Sequence, residues 1–292
     1  MNATVSVNGR ISSAADATIP VFDHGFLYGE GVYETLRTYH RLPFLYERHA
    51  ERLRKSAALM ALPVPFSDAD LLRAIHDTVA AHPGGLGEAY IRVLLTRGVG
   101  ELTYNPAACP VATTVIIVKP FPEPPARTFD EGIKVSLVSV RRNHPQALNP
   151  MIKSNNLLNN ALAMQEALKT GADEALMCNQ AGEIVECSQS NFFIVRRGQL
   201  LTPPLSAGLL PGITRAFVLE LAGELEIPAR EERLTPEDLR SADEAFITGT
   251  TREVTPVVLV DAAPIGTGKP GAISQRLLDL FRRRADELST PN

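Results

Sequence analysis

Cysteine is scarce in this chain: three in 292 residues, at Cys109, Cys178 and Cys187. An odd, sparse set with no C-x-x-C pair argues against a disulfide framework and against a cysteine-ligated zinc site, and a reducing cytoplasm is the simplest location. The six histidines also lack metal-ligand spacing, so no metal is expected. No apolar run reaches the roughly 20 residues of a membrane span, and no basic segment followed by an apolar stretch opens the chain, so neither a membrane partner nor a secretory leader is expected. Net charge is only −4, with 21% charged residues and no basic tail, which argues against disorder and against a nucleic-acid partner. Lysine is rare as well, supplying six of the 29 basic residues.

What is present is a globular composition. Hydrophobic residues make up 45% of the chain, enough for a sizeable core and for one large or two medium domains. Asn8-Gly9 marks a hairpin over residues 4–12. Residues 31–39 (GVYETLRTY) alternate as a strand, and residues 47–61 read as a helix with Leu53, Ala57 and Met60 on one face. Ser67 with Asp70 gives a capping signature for a helix ending before Pro83. Residues 89–96 and 112–119 read as strands. Four prolines in the eight residues 120–127 (PFPEPPAR) exclude a helix interior or a central strand and mark a stiff connector. The expected organisation is therefore α+β in two domains: a smaller one over 1–119, the connector 120–127, and a larger one over 128–292. In the latter, strands are expected at 133–140, 175–178, 183–187, 191–195, 244–248 and 254–260. Helices are expected after Ser154, with Leu157, Leu158, Ala161, Leu162 and Leu168 as its apolar positions, from Gly212 to about 226, and over 271–288.

Four features carry chemistry. A lone lysine is ordinarily a solvated surface charge. Lys153, however, directly precedes Ser154, read as a helix cap, and an amine fixed in direction that way can form an imine with an aldehyde. Glu186, in GEIVECSQSNFF, is either an exposed strand-end carboxylate or a partner that keeps a pyridine nitrogen protonated. LLPGITR, 209–215, places a glycine before a helix whose first amides suit a phosphate, although an ordinary helix start has the same look. TGTTREVTP, 248–256, sets a glycine among hydroxyl side chains at a strand end.

Together these elements resemble the fold-type IV pyridoxal-phosphate enzymes, the group of the branched-chain aminotransferases, the D-amino acid aminotransferases and aminodeoxychorismate lyase. The signature reads Glu186, Ser188, Asn191, Phe192, Phe193, Leu201-Thr202, then Leu210, Gly212, Ile213 and Arg215. The likeness extends to HGFLYGEGVYETLR at 24–37, RHAERL at 48–53 and IKSNNLLNN at 152–160. The resemblance implies a two-domain α+β fold with its active site between the domains near a dimer interface, and pyridoxal 5'-phosphate as cofactor. It implies Lys153 as the Schiff-base lysine and proton shuttle and Glu186 facing the pyridine nitrogen. Arg52, Ile213, Thr214 and Thr250 would hold the phosphate. Tyr28, Tyr33, Arg37, Tyr90, Arg92 and Thr251 would line the substrate side, with Tyr28 reaching the neighbouring subunit's site in a homodimer.

Substrate choice is read from smaller differences. Arg37, Tyr90-Ile91-Arg92 and the loop GVGELTYNP at 98–106 match the branched-chain pattern, and the R-x-H carboxylate trap of the D-amino acid enzymes is missing from that loop. Leu158 stands where branched-chain enzymes carry Tyr, and Thr250-Thr251 and IKSNNLL are closer to the D-type. The leading expectation is transamination between an L-branched-chain amino acid and 2-oxoglutarate. D-amino acid or amine transamination, aminodeoxychorismate cleavage and a non-catalytic dimeric binding role are the alternatives. Arg37 and Arg92 are expected either to bind a distal carboxylate or to pair with Glu30, Glu34 or Glu88 as structural ions.

Overall fold

The structure is a computed structural model that describes residues 2–290. The chain forms two compact units. The first comprises Met1–Pro122, Ile152–Asn156 and Ala285–Asn292, the second Glu123–Met151 and Leu157–Arg284. The units are thus interleaved in sequence, whereas residues 1–119 and 128–292 were expected as contiguous halves. The short segment that carries Lys153 belongs to the first unit.

The first unit is built on strands β1 (Thr4–Val7), β2 (Arg10–Ser13), β3 (Gly31–Tyr39), β4 (Leu42–Pro43), β5 (Ala89–Thr96) and β6 (Thr113–Pro120), ordered β2-β1-β6-β5-β3-β4 and antiparallel throughout. Period-two alternation sends Ala89, Ile91, Val93 and Leu95 of β5 into the core together with Val32 and Leu36 of β3. Helices α1 (His24–Tyr28), α2 (Tyr46–Leu59) and α3 (Asp68–Ala80) complete the unit, with Leu53 and Ala57 of α2 and Leu71 and Ile75 of α3 in the same core. Ser67 and Asp70 form the reciprocal capping box anticipated for α3.

The second unit holds strands β7 (Ile133–Leu137), β8 (Glu174–Cys178), β9 (Ile184–Cys187), β10 (Asn191–Arg196), β11 (Gln199–Thr202), β12 (Ala229–Glu231), β13 (Glu244–Gly249), β14 (Glu253–Val260) and β15 (Ala263–Pro264). The sheet order is β12-β11-β10-β13-β14-β7-β8-β9, with β15 beside β14. Helices α4 (Arg127–Asp130), α5 (Leu158–Lys169), α6 (Ile213–Glu224) and α7 (Pro236–Arg240) follow in chain order, and α8 (Ala272–Leu288) belongs to this unit as far as Arg284. Phe192, Ile194, Ile247 and Val257 fill one side of the sheet. Phe193 and Phe246, opposite each other on the other side, stack with ring centroids 4.9 Å apart.

Two expectations about the segment after Lys153 are corrected. Ser154 does not cap a helix: it forms an extended bridge to Val32, and α5 begins four residues later behind Leu157 with no side-chain cap. The leucines of α5 are not its buried face either. Leu158 and Leu168 are 66% and 58% exposed, while the small Ala163 and Ala167 are fully buried beside Val138 and Ala175. Small side chains let the helix axis approach the sheet closely, and the larger apolar ones are turned outward.

Glu34 is a carboxylate on the core face of β3, among apolar neighbours. Arg52 donates to it through Nε (2.7 Å to Oε1) and Nη2 (2.7 Å to Oε2), and His49 Nδ1 lies 2.7 Å from Oε2. Burial alone would raise the Glu34 pKa, but the Arg52 and His49 charges and hydrogen bonds hold it well below the usual carboxylate range. Burial also lowers the His49 pKa; Glu34 opposes this, and the charges of Arg52 and Lys153 add to it.

Both groups therefore have folded pKa values below their unfolded ones, and both contribute stability that is complete at high pH and lost on acidification. The His49 part is lost as pH falls below the ordinary value of 6.5, the Glu34 part only below 4.5. The melting temperature is expected to fall from pH 7 to pH 5, with a shallower slope in His49→Gln; equal slopes would place the acid sensitivity elsewhere. For α5, Ala163→Leu is expected to cost about 1–3 kcal/mol by overpacking. Leu168→Ala should cost within about 0.5 kcal/mol, as an exposed position does. Urea denaturation of both variants tests the assignment of the buried face.

Candidate active site

In the first unit, Lys153 is fixed through its main chain. Tyr33 N–H donates to Lys153 O (2.9 Å), Asn155 N–H donates to Gly31 O (2.9 Å), and Lys153 N–H donates to Ser56 Oγ (3.1 Å). The segment thus adds one short extended stretch to the edge of β3, where β4 pairs only with Thr38 and Tyr39. Its ammonium lies 4.6 Å from the centre of the Tyr33 ring. A half-buried lysine anchored at both sides of its α-carbon is held in direction, which is what an imine-forming amine requires.

The same side of the sheet carries most of the expected substrate residues of this unit. Tyr33, Arg37, Tyr90 and Arg92 all lie opposite the core face, since Arg37 pairs with Tyr90 across the ladder and Arg92 with Thr35. The arginines are parked on aromatic rings: Arg92 is 4.0 Å from the Tyr33 centroid, and Arg37 is 4.1 Å and 3.8 Å from those of Tyr39 and Phe121. The carboxylates proposed as their structural partners are engaged otherwise. Glu30 binds Arg97, Glu34 binds Arg52 and His49, and Glu88 accepts from Thr38. Lys119 stands over Tyr90, ammonium to centroid 4.9 Å, a cation on this face that the sequence did not single out. Tyr28, at the end of α1, contacts the Tyr104 ring at 5.1 Å.

In the second unit, Glu186 is 5% exposed and its two oxygens are clamped. Arg142 Nε donates to Oε1 (2.8 Å), while Leu210 N–H (3.1 Å) and Asn191 Nδ2 (3.3 Å) donate to Oε2. It is a buried, paired carboxylate and not the exposed strand end of the bland reading. Gly212 is required by close approach: a Cβ there would lie 1.8 Å from Asn191 Oδ1. Behind it α6 opens with Ile213 and Thr214, both buried, and no side chain caps its amides. Arg215 locks this turn by donating to Pro203 O (2.8 Å) and Thr202 Oγ1 (3.3 Å). Thr250 and Thr251 are half-buried in the turn that joins β13 to β14, closed by Arg252 N–H to Gly249 O (3.0 Å). Thr248 sits opposite Asn191, and its fully buried hydroxyl has no hydrogen-bond partner.

These features suit pyridoxal phosphate in chemistry. An uncapped helix N-terminus behind a glycine and a buried hydroxyl left without a partner fit a phosphate, a clamped carboxylate fits a protonated ring nitrogen, and an oriented amine fits an aldehyde. Sequence reasoning gave no site role to His49, Arg142 or Ser56 and named Glu34 only as a structural partner for Arg37 or Arg92, whereas it pairs with Arg52 and His49. Only Glu34 left a local signal, as a charge at a core-facing position of an alternating strand.

The chain is similar to known proteins over nearly its whole length. The family of class IV amino-transferases matches residues 31–260. The branched-chain-amino-acid aminotransferase of Salmonella typhimurium is 36% identical over 94% of this chain and 90% of its own. The D-alanine aminotransferase of Listeria monocytogenes is 34% identical over 95% and 94%. Among solved structures, that of the T.th. branched-chain amino acid aminotransferase with pyridoxamine 5'-phosphate superposes with a TM-score of 0.92 at 31% identity, covering 99% of this chain and 95% of the other. The chain belongs to the class IV aminotransferases, enzymes that move amino groups with pyridoxal 5'-phosphate.

Proposed function

We propose that this aminotransferase exchanges the amino group of an L-branched-chain amino acid with 2-oxoglutarate. The observation that carries the reading is the open face of the first sheet. Its cationic end carries the half-buried Arg92 and, buried beside it, Arg37, each stacked on aromatic rings. Beside them on the same face run the half-buried aliphatic side chains of Leu94, Val115 and Ile117. A surface that offers both an arginine for a distal carboxylate and an apolar lane for a branched side chain suits an enzyme whose two substrates differ in just this way. The relatives named for branched-chain substrates support it.

In this reading the bound cofactor supplies an electron-poor ring that withdraws charge from the substrate α-carbon. Lys153 holds the cofactor through its amine and moves the proton at Nζ. Glu186 keeps the ring nitrogen protonated, with Arg142 and Asn191 fixing the carboxylate. Two phosphate charges exceed what a helix N-terminus supplies, about half an elementary charge, so Arg52 adds its charge to the amides of Ile213 and Thr214 and the hydroxyl of Thr250. Tyr28, Tyr33, Tyr90 and Thr251 orient the substrate. The enzyme works as a homodimer in the cytoplasm. Support for the dimer comes from the exposed apolar side chains of Phe22, Phe26, Leu102 and Tyr104, the last 86% exposed.

Borohydride reduction followed by peptide mapping is expected to find the cofactor on Lys153; a label on Lys134 or Lys169 would overturn the assignment. Following the cofactor absorption with L-leucine, D-alanine and L-glutamate tests the substrate. L-Leucine and L-glutamate are expected to react and D-alanine to react poorly; preference for D-alanine would favour the D-type reading that Thr250-Thr251 keeps open. Arg92→Ala is expected to lower kcat/KM for glutamate by about tenfold or more, in line with loss of a charge-assisted hydrogen bond of roughly 1.5–3 kcal/mol, with little change for leucine. Equal losses would mean a structural arginine.

A further inference from the structure

We infer that Glu34 and His49 are positioning residues for the cofactor phosphate, acting through Arg52 as one rigid unit. The inference rests on the reading that Arg52 holds the phosphate. Stability alone does not account for the group. A buried ion pair loses about as much in desolvation as it gains in attraction, and apolar residues of similar size usually serve a core as well. Yet β3 places a carboxylate on its core face, lined by Leu36, Leu53, Ile75 and Val93. Orientation is what such a pair adds. Glu34 engages the Nε–Nη2 edge of the guanidinium with two bonds of 2.7 Å each. A planar fork docked along one edge has the direction of its remaining N–H groups fixed.

His49 completes the lock. It stands three residues before Arg52 on α2, so both side chains leave the same helix face. An ionised Glu34 only accepts hydrogen bonds, so His49 must carry its proton on Nδ1 and donate it to Oε2 at 2.7 Å. The carboxylate then cannot rotate without breaking three bonds. The backbone of the adjacent Tyr33 binds Lys153 O. One turn of strand thus sets the direction of the amine on one face and of Arg52 on the other.

The test compares affinities for pyridoxal phosphate and for pyridoxal, which lacks the phosphate, by spectral titration of the full-length apoenzyme. The ratio of the two affinities isolates the phosphate. Glu34→Gln keeps the shape but breaks the bidentate bond, and the ratio is expected to fall by about 10-fold or more, the range seen when an outer partner of a ligating group is removed. His49→Leu should lower it in the same direction by less, and keeps the question decidable should Glu34→Gln not fold. In an Arg52→Ala background, where the ratio has already dropped, Glu34→Gln should lower it no further. An unchanged ratio in Glu34→Gln and His49→Leu would make the pair structural. A raised ratio would mean that Glu34 only opposes the phosphate charge. Either result overturns the inference. If Arg52→Ala itself leaves the ratio unchanged, the phosphate role of Arg52 fails, which is a separate outcome.

Discussion

The main-chain hydrogen bonds along the free edge of β3 are the constraint on which the first unit's chemistry depends. An edge strand presents unpaired N–H and C=O groups that must find partners. β4 satisfies only the far end, at Thr38 and Tyr39. At the near end the groups of Gly31 and Tyr33 are taken by Asn155 and Lys153. The strand period then does the rest. Tyr33 and Arg37 point to the face that bears the lysine, and Glu34 points to the core, where it meets Arg52. A one-residue slip in this pairing would exchange the two faces, placing aromatic rings in the core and aliphatic side chains against the amine. Register and chemistry are therefore specified together, and Gly31 is part of the specification: a Cβ there would lie 2.8 Å from Leu95 O.

What could be read from the sequence follows from how local each signal is. The α3 capping box needs only Ser67 and Asp70, three residues apart, and is visible directly. The strand read over residues 89–96 is found with those bounds as β5. The start of α6 is legible from Gly212 and the residues behind it. Helix α5 defeats the same kind of reasoning. Its leucines recur at helical spacing and look like a core stripe, but periodicity cannot tell an apolar face directed inward from one directed outward. The small residues Ala163 and Ala167 decide the packing because only they allow the helix to lie close. Ser154 misled for a related reason: a serine before an apolar run reads as a cap, but its main chain was already committed to Val32, more than a hundred residues away in sequence.

The site divides along the same line. Lys153 and Glu186 were visible because a family signature surrounds them. The groups that hold them were not, since Ser56 lies 97 residues from Lys153 and Arg142 lies 44 from Glu186. No pattern within a window connects such pairs. Arg52 occupies a middle position: the RHAERL motif drew attention to it, whereas its bond to Glu34 spans 18 residues and required the helix to fold over the strand.

The shortage of lysine beside many arginines acquires a physical sense on the face that carries Lys153. An aldehyde cofactor reacts with any neutral primary amine in reach, and a lysine whose environment favours deprotonation becomes a competitor. A guanidinium remains charged at any physiological pH and offers no such amine. Where this face needs positive charge beside Tyr33 and Tyr39, it uses Arg92 and Arg37. The planar groups also stack on those rings, which helps to orient their charge. A lysine in place of Arg92 would keep the charge but lose the stacking geometry, and would set a second amine on the ring that Lys153 already contacts. Arginine thus supplies a cation for a substrate carboxylate without adding an amine on the Tyr33 ring beside Lys153, whereas the other lysine of this face, Lys119, stands over Tyr90.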